Sequence, residues 1–189
     1  MVCSKRRIVI ALVDSIMEWD KQLFLMLHQL FSASTDTFWL AVTKTFTWLP
    51  LYIVLVARLI KKSETHSTWI FRIALCLVGV LLWDQGANFF KELIGRPRPC
   101  QEGFEGVRIL VHCSAFGFFS SHAANTFGLA FLMRRWLKPS WFPILIGVAV
   151  IQSFSRIHLG VHYPLDLFAG ALWGILISTI LVRIDSQFS

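Results

Sequence analysis

The sequence predicts an all-α integral membrane protein. It is read as a bundle of five transmembrane helices, or six if the N-terminal segment also crosses, with an N-terminal interfacial amphipathic helix. Three observations carry this. The 189 residues are 56% hydrophobic with a mean hydropathy of +0.62, more apolar than a soluble domain of this size. The apolar residues fall in blocks, as in helices threaded through lipid rather than wrapped round one aqueous core. The basic residues collect at block ends, as in Lys61-Lys62 and Arg134-Arg135. Topology and anionic lipid therefore explain the net charge of +7 better than nucleic acid does. The length fits a single membrane-embedded domain over residues 1–189.

Taken in order, Lys5-Arg6-Arg7 and the short apolar run Ile8–Val13 resemble a signal peptide only faintly, since Asp14 interrupts the run; the segment is expected to be retained. Residues 20–31 place Leu23, Phe24, Met26, Leu27, Leu30 and Phe31 on one helical face. With Asp14, Glu18, Asp20 and Lys21 nearby, this reads as an interfacial helix. Spans are expected near 38–60, 69–90, 117–134, 141–157 and 164–183, several of them barely long enough to cross. The one long non-helical stretch, 91–118, is rich in Gly, Pro, Arg and Cys, and loops of that length are usually functional or disordered. Cys3 and Cys76 stand apart, while Cys100 and Cys113 bracket this loop. They pair if it faces an oxidising compartment and otherwise remain two free thiols.

Orientation follows from the short basic connections. Arg58, Lys61, Lys62 and Arg72 lie between the first two spans, and Arg134, Arg135 and Lys138 between the third and fourth. Both turns are expected on the cytoplasmic side. The 91–118 loop and the 155–166 junction then share the opposite, extracytoplasmic face.

Three clusters meet at that face. Lys91, Arg96 and Arg98, with Pro97 and Pro99 stopping the helix, can surround a phosphate or simply mark a charged helix end. Ser120, Ser121 and His122 open the third span, where free N–H groups favour an anion; alone, an ordinary cap explains them. Ser155-Arg156, His162 and Asp166 crowd a guanidinium, an imidazole and a carboxylate at a membrane boundary, where charge is costly. Asp166, in the first turn after Pro164, can reach back to His162 and fix its tautomer. His158 lacks a carboxylate four residues on and is read as interfacial. Asp84, Asn88 and Lys91 share one helical face; Asp84 is expected to be buried against a basic partner and Asn88 to line the approach to the site. Ala124-x3-Gly128 and Gly170-x3-Gly174 would allow close helix packing and imply no dimer, so the oligomeric state stays open. No metal-ligand set has plausible spacing. Together the clusters suit phosphoryl transfer in which fixed cations hold the phosphoryl charge and a histidine attacks.

Lys-x6-Arg-Pro, Ser-x-His and Ser-Arg-x5-His-x3-Asp, running from Lys91 through Asp166, resemble the signature of the type 2 phosphatidic acid phosphatase (PAP2) superfamily. The resemblance implies roles. Lys91, Arg98 and Arg156 would bind phosphate, helped by Ser120 and the backbone at Ser121. His162 would attack phosphorus and form a phosphohistidine, and Asp166 would orient it. His122 would protonate the leaving lipid oxygen and then activate water. No metal and no cofactor are implied. The middle motif departs from the family's usual Pro-Ser-Gly-His, reading Phe119-Ser120-Ser121-His122, which changes cap geometry and puts a side chain over the phosphate. The short chain and interfacial N-terminal helix resemble bacterial members acting on undecaprenyl diphosphate or lipid A, with phosphatidylglycerophosphate and phosphatidic acid in the same class. The site would then face the periplasm or another extracytoplasmic side of the inner membrane. A catalytically silent lipid-phosphate binder would show binding without turnover. A transporter fits poorly, because the charges collect at one face instead of crossing the bilayer.

Overall fold

The computed structural model describes residues 2–188, and their side chains from residue 7 to 187; the side chains of Cys3, Lys5 and Arg6 lie outside the described residues. The fold is helical, with α1 Val2–His28, α2 Asp36–Thr43, α3 Leu49–Lys62, α4 His66–Ile94, α5 Ser121–Met133, α6 Trp141–His158 and α7 Pro164–Phe188. Three of these, α4, α6 and α7, are long and apolar enough to cross a membrane, and a bent pair over 33–62 gives a fourth. Their outward residues are apolar: on α4, Leu77, Leu81, Phe89 and Leu93 are all exposed. A helix satisfies its own backbone, so such a surface belongs in lipid. The chain is an integral membrane protein.

Two expected spans differ in form. The segment near 38–60 is broken, its halves meeting at 69°. Pro50 sits in the first turn of α3 and would clash with a carbonyl four residues earlier in a continuous helix. The threonines before it prefer local backbone bonds, Thr47 donating to the Ala41 carbonyl. The segment near 117–134 is helical only from Ser121, because the Ser120 N–H is taken by the Asp166 carbonyl at 2.9 Å. Its 13 residues reach about 20 Å at 1.5 Å per residue, short of the hydrocarbon core.

Helix α1 also differs from expectation. Its buried stripe is Asp20, Phe24 and His28, whereas Met26 and Leu30 are more than half exposed. The stripe has i, i+4, i+8 spacing and docks against α6, where His28 Nδ1 lies 3.0 Å from the Ile157 carbonyl. Ile8, Leu12, Ile16 and Trp19 remain exposed on the outer side.

Helices α5 and α7 approach closely through small residues. A Cβ on Gly170 would fall on the Ser120 carbonyl, and one on Gly174 on the Ala124 carbonyl. The two small-residue patterns thus face each other within the chain. This contact sets the N-terminus of α5 beside that of α7. At the far end, Asp185 of α7 gathers Arg72 Nε at 3.5 Å, Arg135 Nε at 3.7 Å and Trp136 Nε1 at 2.9 Å. The two basic turns therefore share one end of the bundle, opposite the three motif clusters.

The loop after α4 is folded down onto the bundle. Gly95 ends α4 in the left-handed region at φ 63°, and Gly117 N–H donates to the Arg96 carbonyl at 2.9 Å. Gly160, at φ 75°, leaves room for the Arg108 carbonyl, which a Cβ would approach to 2.7 Å. Cys100 and Cys113 form a disulfide with Cα atoms 6.2 Å apart, while Cys76 is free. Replacing Cys100 and Cys113 by Ser is expected to destabilise the protein by about 3 kcal/mol, the loop-closure value for a ring of this size. Unfolding midpoints in detergent with and without reductant check this; coincident midpoints would contradict it.

Candidate active site

The end of α4, the start of α5, the end of α6 and the turn before α7 converge on one cavity of about 830 Å³. Its polar end is formed by Lys91, Arg98, Ser121, His122, Arg156 and His162, and its long apolar lobe by residues such as Leu55, Leu59, Val80, Leu129 and Leu145. Such a cavity can hold a charged head and an apolar tail together.

His162 lies in the short turn between α6 and α7, and is 2% exposed. Its Nδ1 is 3.3 Å from Asp166 Oδ2. Asp166 is fully buried and also accepts the Tyr163 N–H at 3.0 Å on that oxygen. These neighbours assign the proton to Nδ1 and leave Nε2 as the nitrogen that carries the lone pair. Arg98 NH1 stands 3.5 Å from Nε2. Burial, then Arg98, Arg156 and Lys91, hold the imidazole well below its usual pKa. Burial likewise lowers His28. Between those depressed values and about 6.5, these two imidazoles bind more protons in the unfolded chain than in the folded protein. Stability is therefore expected to fall as pH drops below about 6.5, seen as a lower thermal midpoint at acid pH; a flat profile would refute it.

Among the described residues, no carboxylate lies within 4.0 Å of the Lys91, Arg98 or Arg156 charge. Arg98 Nε donates to the Phe116 carbonyl at 2.9 Å, and its NH1 to the Val161 carbonyl at 3.3 Å. Lys91 Nζ donates to Ser121 Oγ at 2.7 Å and to Asn88 Oδ1 at 3.3 Å. The Ser121 hydroxyl thus fixes the ammonium. Arg156 NH1 donates to Thr43 Oγ1 at 2.7 Å, and the Thr43 backbone reaches the His122 ring. Fixed donors of this kind suit an anion whose charge grows during reaction.

Several sequence expectations are corrected. Arg96 does not line the cavity; it bonds Asp166 at 2.8 Å and Asp20 at 2.6 Å. Ser120 is the N-cap residue of α5, but its side chain makes no cap bond and its hydroxyl is buried without a partner. It stands beside the cavity lining, not in it. His158, which lacks a carboxylate four residues on, is fully buried and has one elsewhere, its Nε2 2.8 Å from Asp36 Oδ1. Asp84 is only partly buried and lines the cavity, with no ion pair within 4.0 Å among the described residues. Asn88 is exposed and serves Lys91. Sequence reasoning missed Thr43, which touches two site residues, and Gly117, where a Cβ would come within 3.1 Å of Asp166 Oδ2. The glycine just before the second motif was the only signal for either.

Residues 67–188 match the model of the PAP2 superfamily. The chain belongs to the PAP2 superfamily. Membership makes it a phosphoric ester hydrolase. This PAP2 protein is 33% identical to a lipid A 4'-phosphatase of Bacteroides thetaiotaomicron, over 86% of the chain and 75% of the relative. It is 51% identical to an undecaprenyl-diphosphatase of Sulfolobus acidocaldarius, over only 26% of the chain and 24% of that relative. In fold, it resembles the PAP2-type phosphatidylglycerolphosphate phosphatase of Bacillus subtilis with a TM-score of 0.71 at 21% identity, covering 93% of this chain and 88% of that one.

Proposed function

We propose that this PAP2 protein removes phosphate from a membrane lipid through a phosphohistidine at His162. The observation that carries the reading is the pairing of His162 and Asp166 with Lys91, Arg98 and Arg156 at the polar end of a largely apolar cavity. Nε2 of His162 attacks phosphorus as the bond from phosphorus to the lipid oxygen breaks, and His122 gives that oxygen its proton. His122 then takes a proton from water, which attacks the phosphohistidine. The P–N bond breaks, inorganic phosphate leaves and His162 is restored. Lys91, Arg98, Arg156 and the N–H groups opening α5 at Ser121 bind the phosphoryl oxygens. Ser120, whose buried hydroxyl has no partner among the described residues, adds a donor beside them. Three fixed cations carry the charge, so the steps need neither metal nor cofactor.

Residues 1–189 act as one membrane-embedded unit, in which the broken 33–62 segment joins α4, α6 and α7 as a fourth span and the short α5 packs among them. The basic end faces the cytoplasm by the positive-inside rule, and the disulfide-bearing loop faces the periplasm or outer side of the inner membrane. The relative with the broader match favours lipid A as substrate, and the shorter match with higher identity favours undecaprenyl diphosphate as the second reading. Phosphate release in chelator from lipid A, undecaprenyl diphosphate, phosphatidylglycerophosphate and phosphatidic acid tests this. Release from lipid A above the others is expected. Binding of every lipid without release from any would refute the enzyme reading.

A further inference from the structure

We infer that Asp20 of α1, acting through Arg96, is a positioning residue for Asp166 and so for His162. The inference rests on the phosphohistidine reading above and extends the machinery to a helix outside all three sequence motifs. Arg96 NH1 donates to Asp166 Oδ1 at 2.8 Å, and NH2 donates to Asp20 Oδ2 at 2.6 Å. One guanidinium fork thus holds two carboxylates from helices at opposite ends of the sequence, a geometry an ammonium does not reproduce. The Tyr163 ring stacks on the guanidinium, its centroid 4.1 Å from Cζ. Asp20 Oδ1 accepts the Leu165 N–H at 2.9 Å. Asp20 therefore grips the first turn of α7 by two routes: the side chain of Asp166 through Arg96, and the backbone one residue earlier.

The charges explain why a second carboxylate is useful here. Asp166 alone against Arg96 is a neutral pair and offers little to an imidazole. With both carboxylates ionised, Asp20 leaves the group of Arg96, Asp20 and Asp166 with one net negative charge. When Nε2 of His162 bonds phosphorus with Nδ1 still protonated, the ring becomes cationic, and this charge stabilises it. Asp20 and Asp166 are both fully buried, and Arg96 is 7% exposed. A merely structural ion pair of α1 already exists nearby: Lys21 Nζ meets Glu102 Oε2 at 2.9 Å on the surface.

The test uses the full chain in detergent micelles, with lipid A and undecaprenyl diphosphate as probes. Asp20→Asn is expected to lower kcat about tenfold while KM moves by about twofold or less. Lys21→Ala, which loosens the same helix without touching the charge, is expected to keep wild-type kcat. In an Asp166→Asn background, Asp20→Asn is expected to add no further loss, because the amide oxygen can still accept the Leu165 N–H and the charge it removes acts through Asp166. Wild-type kcat in Asp20→Asn, or a full additional loss in that background, would overturn the inference. If Asp20→Asn does not fold, Arg96→Lys carries the same two outcomes. Turnover retained in His162→Ala would instead remove the nucleophile on which the inference stands. An inactive His162→Ala beside an unimpaired Asp20→Asn defeats the positioning role alone.

Discussion

His162→Ala is expected to lose phosphate release by about 10⁴-fold or more, the usual scale for removing a covalent nucleophile, with lipid still bound. The expectation comes from the position of the ring. Asp166 takes the Nδ1 side at 3.3 Å, so Nε2 is the nitrogen left to attack. Burial and the neighbouring cations keep the imidazole unprotonated, which preserves the lone pair at neutral pH. The same cations would bind phosphate in the variant, so affinity and turnover should separate. Lipid binding and phosphate release, measured on one preparation, check this. Turnover within tenfold of wild type would remove His162 from the chemistry.

His122→Ala is expected to slow turnover by about 10²- to 10⁴-fold, the range for a general acid or base, but with a different signature. His122 lines the cavity with His162 and Arg156 and is assigned both proton transfers. With p-nitrophenyl phosphate, whose leaving group needs no proton, the first step should recover in the variant while the second does not. A burst of one nitrophenolate per enzyme followed by slow turnover is the expected result. Equal rescue of both steps would show that His122 does not activate water.

The site was legible in the sequence because its residues interrupt apolar blocks. In lipid, charges such as Lys91, Arg98, Arg156 and His162 are costly; their combined spacing carried the reading over a charged helix end, and the fold gathers them in one cavity. The helical class was legible for the same reason, since apolar blocks admit few alternatives. Pairings across the sequence were not legible. Arg96 read as one more phosphate cation, yet its partners lie 76 and 70 residues away, and no local spacing encodes that choice. His158 was judged by the residue four positions on, whereas its carboxylate is Asp36, 122 residues earlier. Met26 and Leu30 fitted an apolar helical face, but the polar stripe of Asp20 and His28 is what docks. Buried charge pairs outweighed hydrophobic periodicity in setting the face of α1. The break between α2 and α3 had a visible cause in Pro50 and the threonines before it, but hydropathy alone passes smoothly over both.

The central claim is that phosphate passes through His162. It is tested most directly by rapid acid-free quenching of the enzyme with a phosphate-labelled lipid substrate, followed by peptide mass spectrometry. The account predicts label on the peptide containing His162, at Nε2, in larger amount in His122→Ala than in wild type and absent from His162→Ala. Phosphate released at full rate with no labelled histidine, or with the label on another residue, would contradict it.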